Sequence, residues 1–278
     1  MIDTHCHLTF SDFTGKIGQT LDDAAVAGVS GCITISTTTL DCLDALAIAH
    51  SHDRAWCTSG VHPLYSDTQD AHAGHRAGTT HIWENLKRVA SDPKCVGWGE
   101  LGLDNHYPTP APEIQRRVLD EQLAFIESVN HAGPGGIGKP DGLPIVIHCR
   151  EAFDDLLPIL RRTKLPPERF VFHCFTGTPE DMRQLLDFGA WASFTGVLTY
   201  PNAPEVREAA KLIPLDRVMV ETDAPFLPPV PFRGKRPCLP AYTAYTARAL
   251  AELRAIPFED FHHQLNTNTN AFFNIPAT

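Results

Sequence analysis

The sequence contains no run of about 18 apolar residues, the length a helix needs to cross a bilayer. Nor does it open on a basic stretch followed by an apolar core and a small-residue cleavage site. We therefore expect a soluble, cytoplasmic protein with no membrane partner. Eight cysteines are scattered along the chain without a CxxC pair or a short secreted framework, which argues for reduced thiols rather than a disulfide scaffold. Positive charge is also scarce: 23 Lys and Arg face 33 Asp and Glu, a formal charge of -10. Such a chain does not attract a nucleic acid backbone in bulk, so any binding of that kind must use a local basic patch or metal ions. No internal repeat and no composition shift marks a domain boundary.

What is present suits a globular protein. The 278 residues are 43% apolar and 20% charged, enough to bury a large core. Eight apolar runs read as strands: "MIDTHCH", "GCITIST", "AWCTSGV", "CVGWGEL", "LPIVIHC", "RFVFHCF", "AWASFTG" and "RVMVETD". Between them, segments such as "IGQTLDDAAVAGV", "EIQRRVLDEQLAFIESVNHAG" and "PEDMRQLLDFG" carry apolar residues at helical spacing. This alternation predicts an α/β fold with a parallel sheet and, at about 250 residues or more, a (β/α)8 TIM barrel forming a single domain over 1–278. Two stretches read as insertions: "YSDTQDAHAGHRAGTTH" after the third strand, and the Gly- and Pro-rich "HAGPGGIGKPDG" before the fifth, a surface loop.

Polar residues gather where a barrel has its active site. On a strand, residues i and i+2 share a face, so His5 and His7 project together while Cys6 turns away. Glu100 ends "CVGWGE", His148 ends "LPIVIH", His173 ends "RFVFH" and Asp223 ends "VMVETD", each at the C-terminal end of an apolar strand. In a barrel those ends meet at one mouth. Burying four imidazoles and two carboxylates there unpartnered costs several kcal/mol per charged group, and cations answer the most with the fewest assumptions. Six ligands exceed one tetrahedral ion and suit two ions about 3.5 to 4 Å apart. An HxH pair alone carries little weight, because strand histidines are commonly packed and hydrogen-bonded.

The motifs "DTHCHL", "GVHP" (60–63), "GELGLD" (99–104), "IHCRE" (147–151), "HCFTG" (173–177), "ETDAPFL" (221–227) and the closing "NTNAFF" resemble, in order and over nearly the whole chain, the TatD family of metal-dependent deoxyribonucleases. The wider likeness is to amidohydrolase-like metal barrels. The resemblance implies that His5, His7 and Asp223 hold one divalent ion, that His148 and His173 hold the other, and that Glu100 bridges them. Mg2+, Mn2+ or Zn2+ are the candidate ions. It implies hydrolysis at DNA ends, 3' to 5' on single strands, with DNA as substrate and no obligate protein partner. Two features depart from the family pattern: the loop 132–142 is longer than expected, and Leu101 stands where isoleucine is common. Both bear on substrate preference rather than on metal binding.

Asp223 is the candidate to orient the attacking water and accept its proton, with Glu100 the second catalytic carboxylate. Arg150, next to His148, is placed to bind a phosphate bidentately or to pair with Glu151. His62 in "GVHP" is a substrate contact or a group that orients a ligand. The basic "FRGKRP" (232–237) follows the eighth strand, where many barrels bind phosphate, although charge runs are commonly just solvated. His72, His75 and His81 read as solvated surface. Cys149 and Cys174 turn away from the ions if their strands continue, and Trp98, Phe172 and Phe175 pack the barrel, unless an aromatic at the mouth stacks on a base. The same metal pair can instead serve an amide or ester hydrolase, and a non-catalytic metal-dependent binding protein is a third reading.

Overall fold

A computed structural model describes residues 1–68 and 80–275. Its eight strands are β1 (Ile2–Cys6), β2 (Gly31–Thr34), β3 (Ala55–Ser59), β4 (Cys95–Asp104), β5 (Ile145–Arg150), β6 (Phe170–Phe172), β7 (Trp191–Phe194) and β8 (Val218–Val220), ordered in the sheet as they are in the chain. All eight coincide with the apolar runs read from the sequence. The helices are α1 (Ile17–Val26), α2 (Asp41–Ser51), α3 (Trp83–Ala90), α4 (Pro112–Val129), α5 (Phe153–Leu160), α6 (Pro179–Phe188), α7 (Pro204–Leu212), α8 (Thr243–Leu253) and α9 (Phe258–Phe273). Helices α8 and α9 were not read as such from the sequence, where the last motif, "NTNAFF", lies inside α9. No helix of the described residues is long and apolar enough to cross a membrane.

The chain divides into two compact units. The first comprises Met1–Thr34, His52–Ala55 and Phe172–Thr278. Within it β1 and β2 pair in parallel, as do β7 and β8, and a bridge from Cys6 to Ala224 ties β1 to the segment after β8. Local chemistry explains its helices. Thr178 accepts a hydrogen bond from the Asp181 N–H while the Asp181 carboxylate accepts from the Thr178 N–H, Pro179 fills the first helical position, and Gly189 closes α6 in a left-handed conformation. The inner face of α9 buries Phe261, Leu265 and Phe272.

The second unit comprises Ile35–Ser51 and Trp56–Val171. Strand β4 pairs with β3 through Cys57, Thr58 and Ser59, and with β5 through Trp98, Leu101, Gly102, Leu103 and Asp104. All ten residues of β4 are buried, as expected of a parallel strand covered on both faces. Two glutamines of α4, seven residues apart on its inward face, act as backbone substitutes. Gln115 bonds both the N–H and the C=O of Asp104, and Gln122 bonds both those of Val61. Loop 131–142 lies at the other end of the strands: Lys139 donates to the carbonyls of Asp92 and Cys95, and Asn130 holds Leu143 by its N–H and C=O. Its length therefore bears on the start of β4 and β5, not on the substrate preference inferred from the sequence.

Gly102 sits opposite His148 in the β4–β5 ladder with φ +152°, and a Cβ there would lie 1.9 Å from the His148 carbonyl oxygen. Replacing Gly102 by alanine is expected to destabilise the protein by about 3 kcal/mol or more, through a backbone clash that cannot relax by rotamer change. Urea unfolding of Gly102→Ala measures it, and a loss below about 0.5 kcal/mol, the ordinary surface value, would contradict the close approach.

Candidate metal centre

In the first unit the site is built at the ends of β1, β6 and β8. Asp3 accepts from the N–H and hydroxyl of Thr222, at 2.9 and 2.6 Å, and from the N–H of His5. The Asp223 N–H donates to the His5 carbonyl, and the His7 N–H to that of Ala224. This lacing sets Asp223, at φ +60°, beside both histidines of the first motif: one carboxylate oxygen lies 3.7 Å from His5 Nε2 and 3.3 Å from His7 Nε2. His173 stacks on His5 with ring centres 3.9 Å apart. Burial pushes the Asp223 carboxyl up, but His7 at its oxygen and the imidazoles of His5, His7 and His173 outweigh that and hold it below the usual range.

Glu221 is a fully buried carboxylate the sequence analysis passed over. It accepts from the Cys174 N–H at 2.6 Å, from the Ser193 hydroxyl and from the Thr4 hydroxyl. His173 Nδ1 lies 3.4 Å away, long for a hydrogen bond, so this contact acts mainly through charge. Burial raises the Glu221 pKa, yet His173 and His5, with the Ser193 bond, bring it below the ordinary value. Strand β6 ends at Phe172, and Cys174 adopts φ +44°. The alternation expected to turn Cys174 away therefore does not extend to it, and its backbone serves as a donor instead.

In the second unit Glu100 is buried on β4, with His148 Nδ1 2.6 Å and His62 Nε2 3.4 Å from the same carboxylate oxygen. His148 Nε2 lies 3.0 Å from Asp104, whose other oxygen accepts the N–H groups of His106 and Tyr107. Burial raises the Asp104 carboxyl, but His148 and these backbone donors bring it below its usual range, so it is the fixed anionic acceptor. A neutral imidazole carries one proton and can donate to only one of two carboxylates. The ring bridges the two carboxylates: protonated on both nitrogens it donates to both, and with its single proton on Nε2 toward Asp104 its Nδ1 is a nitrogen that can ligate a cation beside Glu100. His62 is fixed likewise: its Nδ1 accepts from the Leu64 N–H, so Nε2 carries the proton toward Glu100.

The donor chemistry fits divalent metal. His5, His173 and Glu221 offer ligand atoms all within 4.8 Å of one another, and His62, Glu100 and His148 group as closely, with Glu100 and His148 the donors there and His62 holding the Glu100 oxygen. Imidazole nitrogen with carboxylate oxygen is a set that zinc and the divalent first-row ions accept.

Of the other residues singled out, Arg150 lies over the Tyr107 ring at 5.1 Å, and Glu151 is engaged by His106 at 2.7 Å. His81 is buried rather than solvated: its Nε2 is 2.9 Å from the Ser66 carbonyl, and burial lowers its pKa. His72 and His75 lie outside the described residues. Glu221, Asp104 and Asp3 all sit within motifs that were read, each two to four residues from a ligand candidate. The glutamines of α4 carried no such signal.

Fold and site together define a metal-dependent hydrolase of the (β/α)8 barrel class. The family profile described as TatD related DNase matches residues 2–274. The chain is 34% identical over 282 aligned residues to the uncharacterized metal-dependent hydrolase YcfH of Escherichia coli K12, covering all of this chain and 97% of that one. It is 32% identical to the 3'-5' ssDNA/RNA exonuclease TatD of Erwinia tasmaniensis, covering 99% of this chain and all of that one. The crystal structure of YjjV, a TatD homologue from Escherichia coli K12, superposes with a TM-score of 0.85 at 30% identity, covering 99% and 98% of the two chains. The chain belongs to the TatD family.

Glu221→Gln removes the charge that steadies His173 while keeping the side chain's shape. It is expected to weaken divalent-ion binding by about 10- to 100-fold. Isothermal titration of chelator-treated protein measures it, and unchanged affinity would restrict Glu221 to joining strand ends.

Proposed function

We propose that the protein hydrolyses phosphodiester bonds at the ends of single-stranded DNA, 3' to 5', with two divalent ions bound by His5, His7, Glu100, His148, His173 and Asp223. Residues 1–278 act as one hydrolase domain. The observation that supports this reading is the grouping of His5, His173 and Glu221 and of His62, Glu100 and His148, with Asp223 beside His5 and His7, in a chain alignable end to end with a relative named a 3'-5' ssDNA/RNA exonuclease. The imidazole count favours zinc or manganese, while phosphoryl chemistry in cells commonly uses magnesium. We take the cytoplasm as its place of action, because eight free cysteines persist there as thiols.

Divalent ions, when bound, supply Lewis acidity toward the phosphoryl oxygen and acidify water. The protein's own part is positional. Asp223, held by its backbone bond to His5, orients the attacking water and takes its proton. Glu100 is the second catalytic carboxylate, set by His62 and His148. His62 and Arg150 are the substrate contacts, Arg150 with its guanidinium steadied over Tyr107.

Chelator-treated protein is expected to lose hydrolysis of 3'-labelled oligonucleotides and regain it on addition of a single divalent ion. Asp223→Asn is expected to lower kcat by at least about 100-fold. Near-normal turnover in that variant removes the proton-accepting role. Turnover of acylated amino acids in place of oligonucleotides would replace the phosphodiester reading with an amide hydrolase.

A further inference from the structure

The basic cluster after β8 is built rather than hanging in solvent. Arg233 lies over the Tyr200 ring at 4.2 Å, Arg236 over Phe226 at 4.8 Å and Lys235 over Phe232 at 5.4 Å. The loop that carries them is fixed to its surroundings: the Val230 N–H donates to the Thr199 hydroxyl, the Tyr200 hydroxyl to the Pro228 carbonyl and the Cys238 N–H to the Pro225 carbonyl. Turn bonds within the loop, from Phe232 to Pro229 and from Lys235 to Phe232, hold its shape. A ring places a cation without cancelling its charge, which a carboxylate partner would do. Arg236 has such a partner, two 3.0 Å bonds to Asp12, whereas Arg233 and Lys235 are exposed and rest on rings.

The same rings run back to the candidate metal centre. Phe226 is edge-on to Phe10 at 5.9 Å and to His7 at 6.3 Å, and Phe10 stacks on His7 at 4.9 Å. Phe10 and Phe226 are each partly exposed. Half-exposed aromatic faces beside a reacting phosphate, followed by fixed cations, match the needs of single-stranded nucleic acid, whose bases stack and whose phosphates seek positive charge. In a chain of net charge -10 such a patch has to be local.

The geometry points to the 226–236 loop as a docking track for single-stranded nucleic acid, with Arg233 and Lys235 on backbone phosphates and Phe10 and Phe226 against a base. This inference rests on the phosphodiesterase reading for its substrate but is tested apart from it. The assay is fluorescence anisotropy of a short labelled oligothymidine in EDTA at low salt. The double variant Arg233→Gln/Lys235→Gln is compared with wild type and with Arg161→Gln/Arg162→Gln, which removes the same charge from the turn after α5. The loop variant is expected to bind about tenfold more weakly than either, with a log K against log salt slope shallower by about 0.7 per lost phosphate contact. Its kcat on a small chromogenic phosphodiester should be unchanged. Equal affinity in the two double variants, or no binding by wild type, overturns the track. Absence of hydrolysis of any phosphodiester by wild type overturns the catalytic reading, while the anisotropy comparison still decides the track.

Discussion

Carboxylates buried at strand ends must each be matched, because an unmatched one costs several kcal/mol, and that requirement organises this protein. Asp3 is matched by the Thr222 backbone and hydroxyl, which fastens β1 to the segment after β8. Glu221 is matched by Cys174, Ser193 and Thr4, which joins β1 and β7 to the segment after β6. Asp104 is matched by two N–H groups and His148. These three hold backbone and imidazoles in place, and ring nitrogens lie 2.6 and 3.4 Å from Glu100 and 3.3 and 3.7 Å from Asp223. The division follows from chemistry. Asp104 and Glu221 are held below the ordinary carboxylate range, whereas burial pushes Asp3 up to about 8 despite its Thr222 bonds, so Asp3 acts as a strand tie rather than as a charge.

That division accounts for what could be read in advance. The strands were legible because parallel strands buried on both faces are short continuous apolar runs, and the breaks between them carry turn residues. The ligand candidates were legible because each stands toward the end of such a run, although β4 continues past Glu100 to Asp104 and β5 past His148 to Arg150. Glu221 and Asp104 were not separable from them by that rule, since ETD and GELGLD each present two acids and sequence does not say which one backbone donors will saturate. Cys174 shows the limit of period-two reasoning: the strand stops two residues earlier and the chain turns into a left-handed conformation. His81 was misread because a histidine among glycines looks solvated, and only tertiary structure supplies the Ser66 carbonyl that buries it. Gln115 and Gln122 were illegible for a further reason: on an amphipathic helix they count as polar positions, yet they face inward.

The glutamines also show how precision reaches the second unit. A glutamine side chain offers the same donor and acceptor as a peptide group, so it can take the backbone groups that a strand end does not give to a neighbouring strand. Gln115 does this at Asp104 and Gln122 at Val61, next to His62. Both lie on α4, the longest helix of its unit, so one rigid rod fixes the position of two loops. The His62 proton is assigned by the Leu64 backbone N–H, while both His148 nitrogens face carboxylates.

If the substrate is a phosphodiester, as proposed, the charge balance sets the order in which substrate and ions bind. Without cations, each cluster presents carboxylates to an incoming phosphate, and a chain of net charge -10 adds to the repulsion. With divalent ions in place, the same oxygens are neutralised and the local field reverses sign. On the proposed phosphodiester reading, phosphate binding at the reacting position is therefore conditional on metal, whereas attraction from cations held on aromatic rings is not. A protein built this way separates two tasks that a uniformly basic surface would merge. On the proposed reading, a single strand is met at the 226–236 loop, where charge is permanent and rings are partly exposed, and the phosphorus is engaged where divalent ions fill the imidazole–carboxylate clusters.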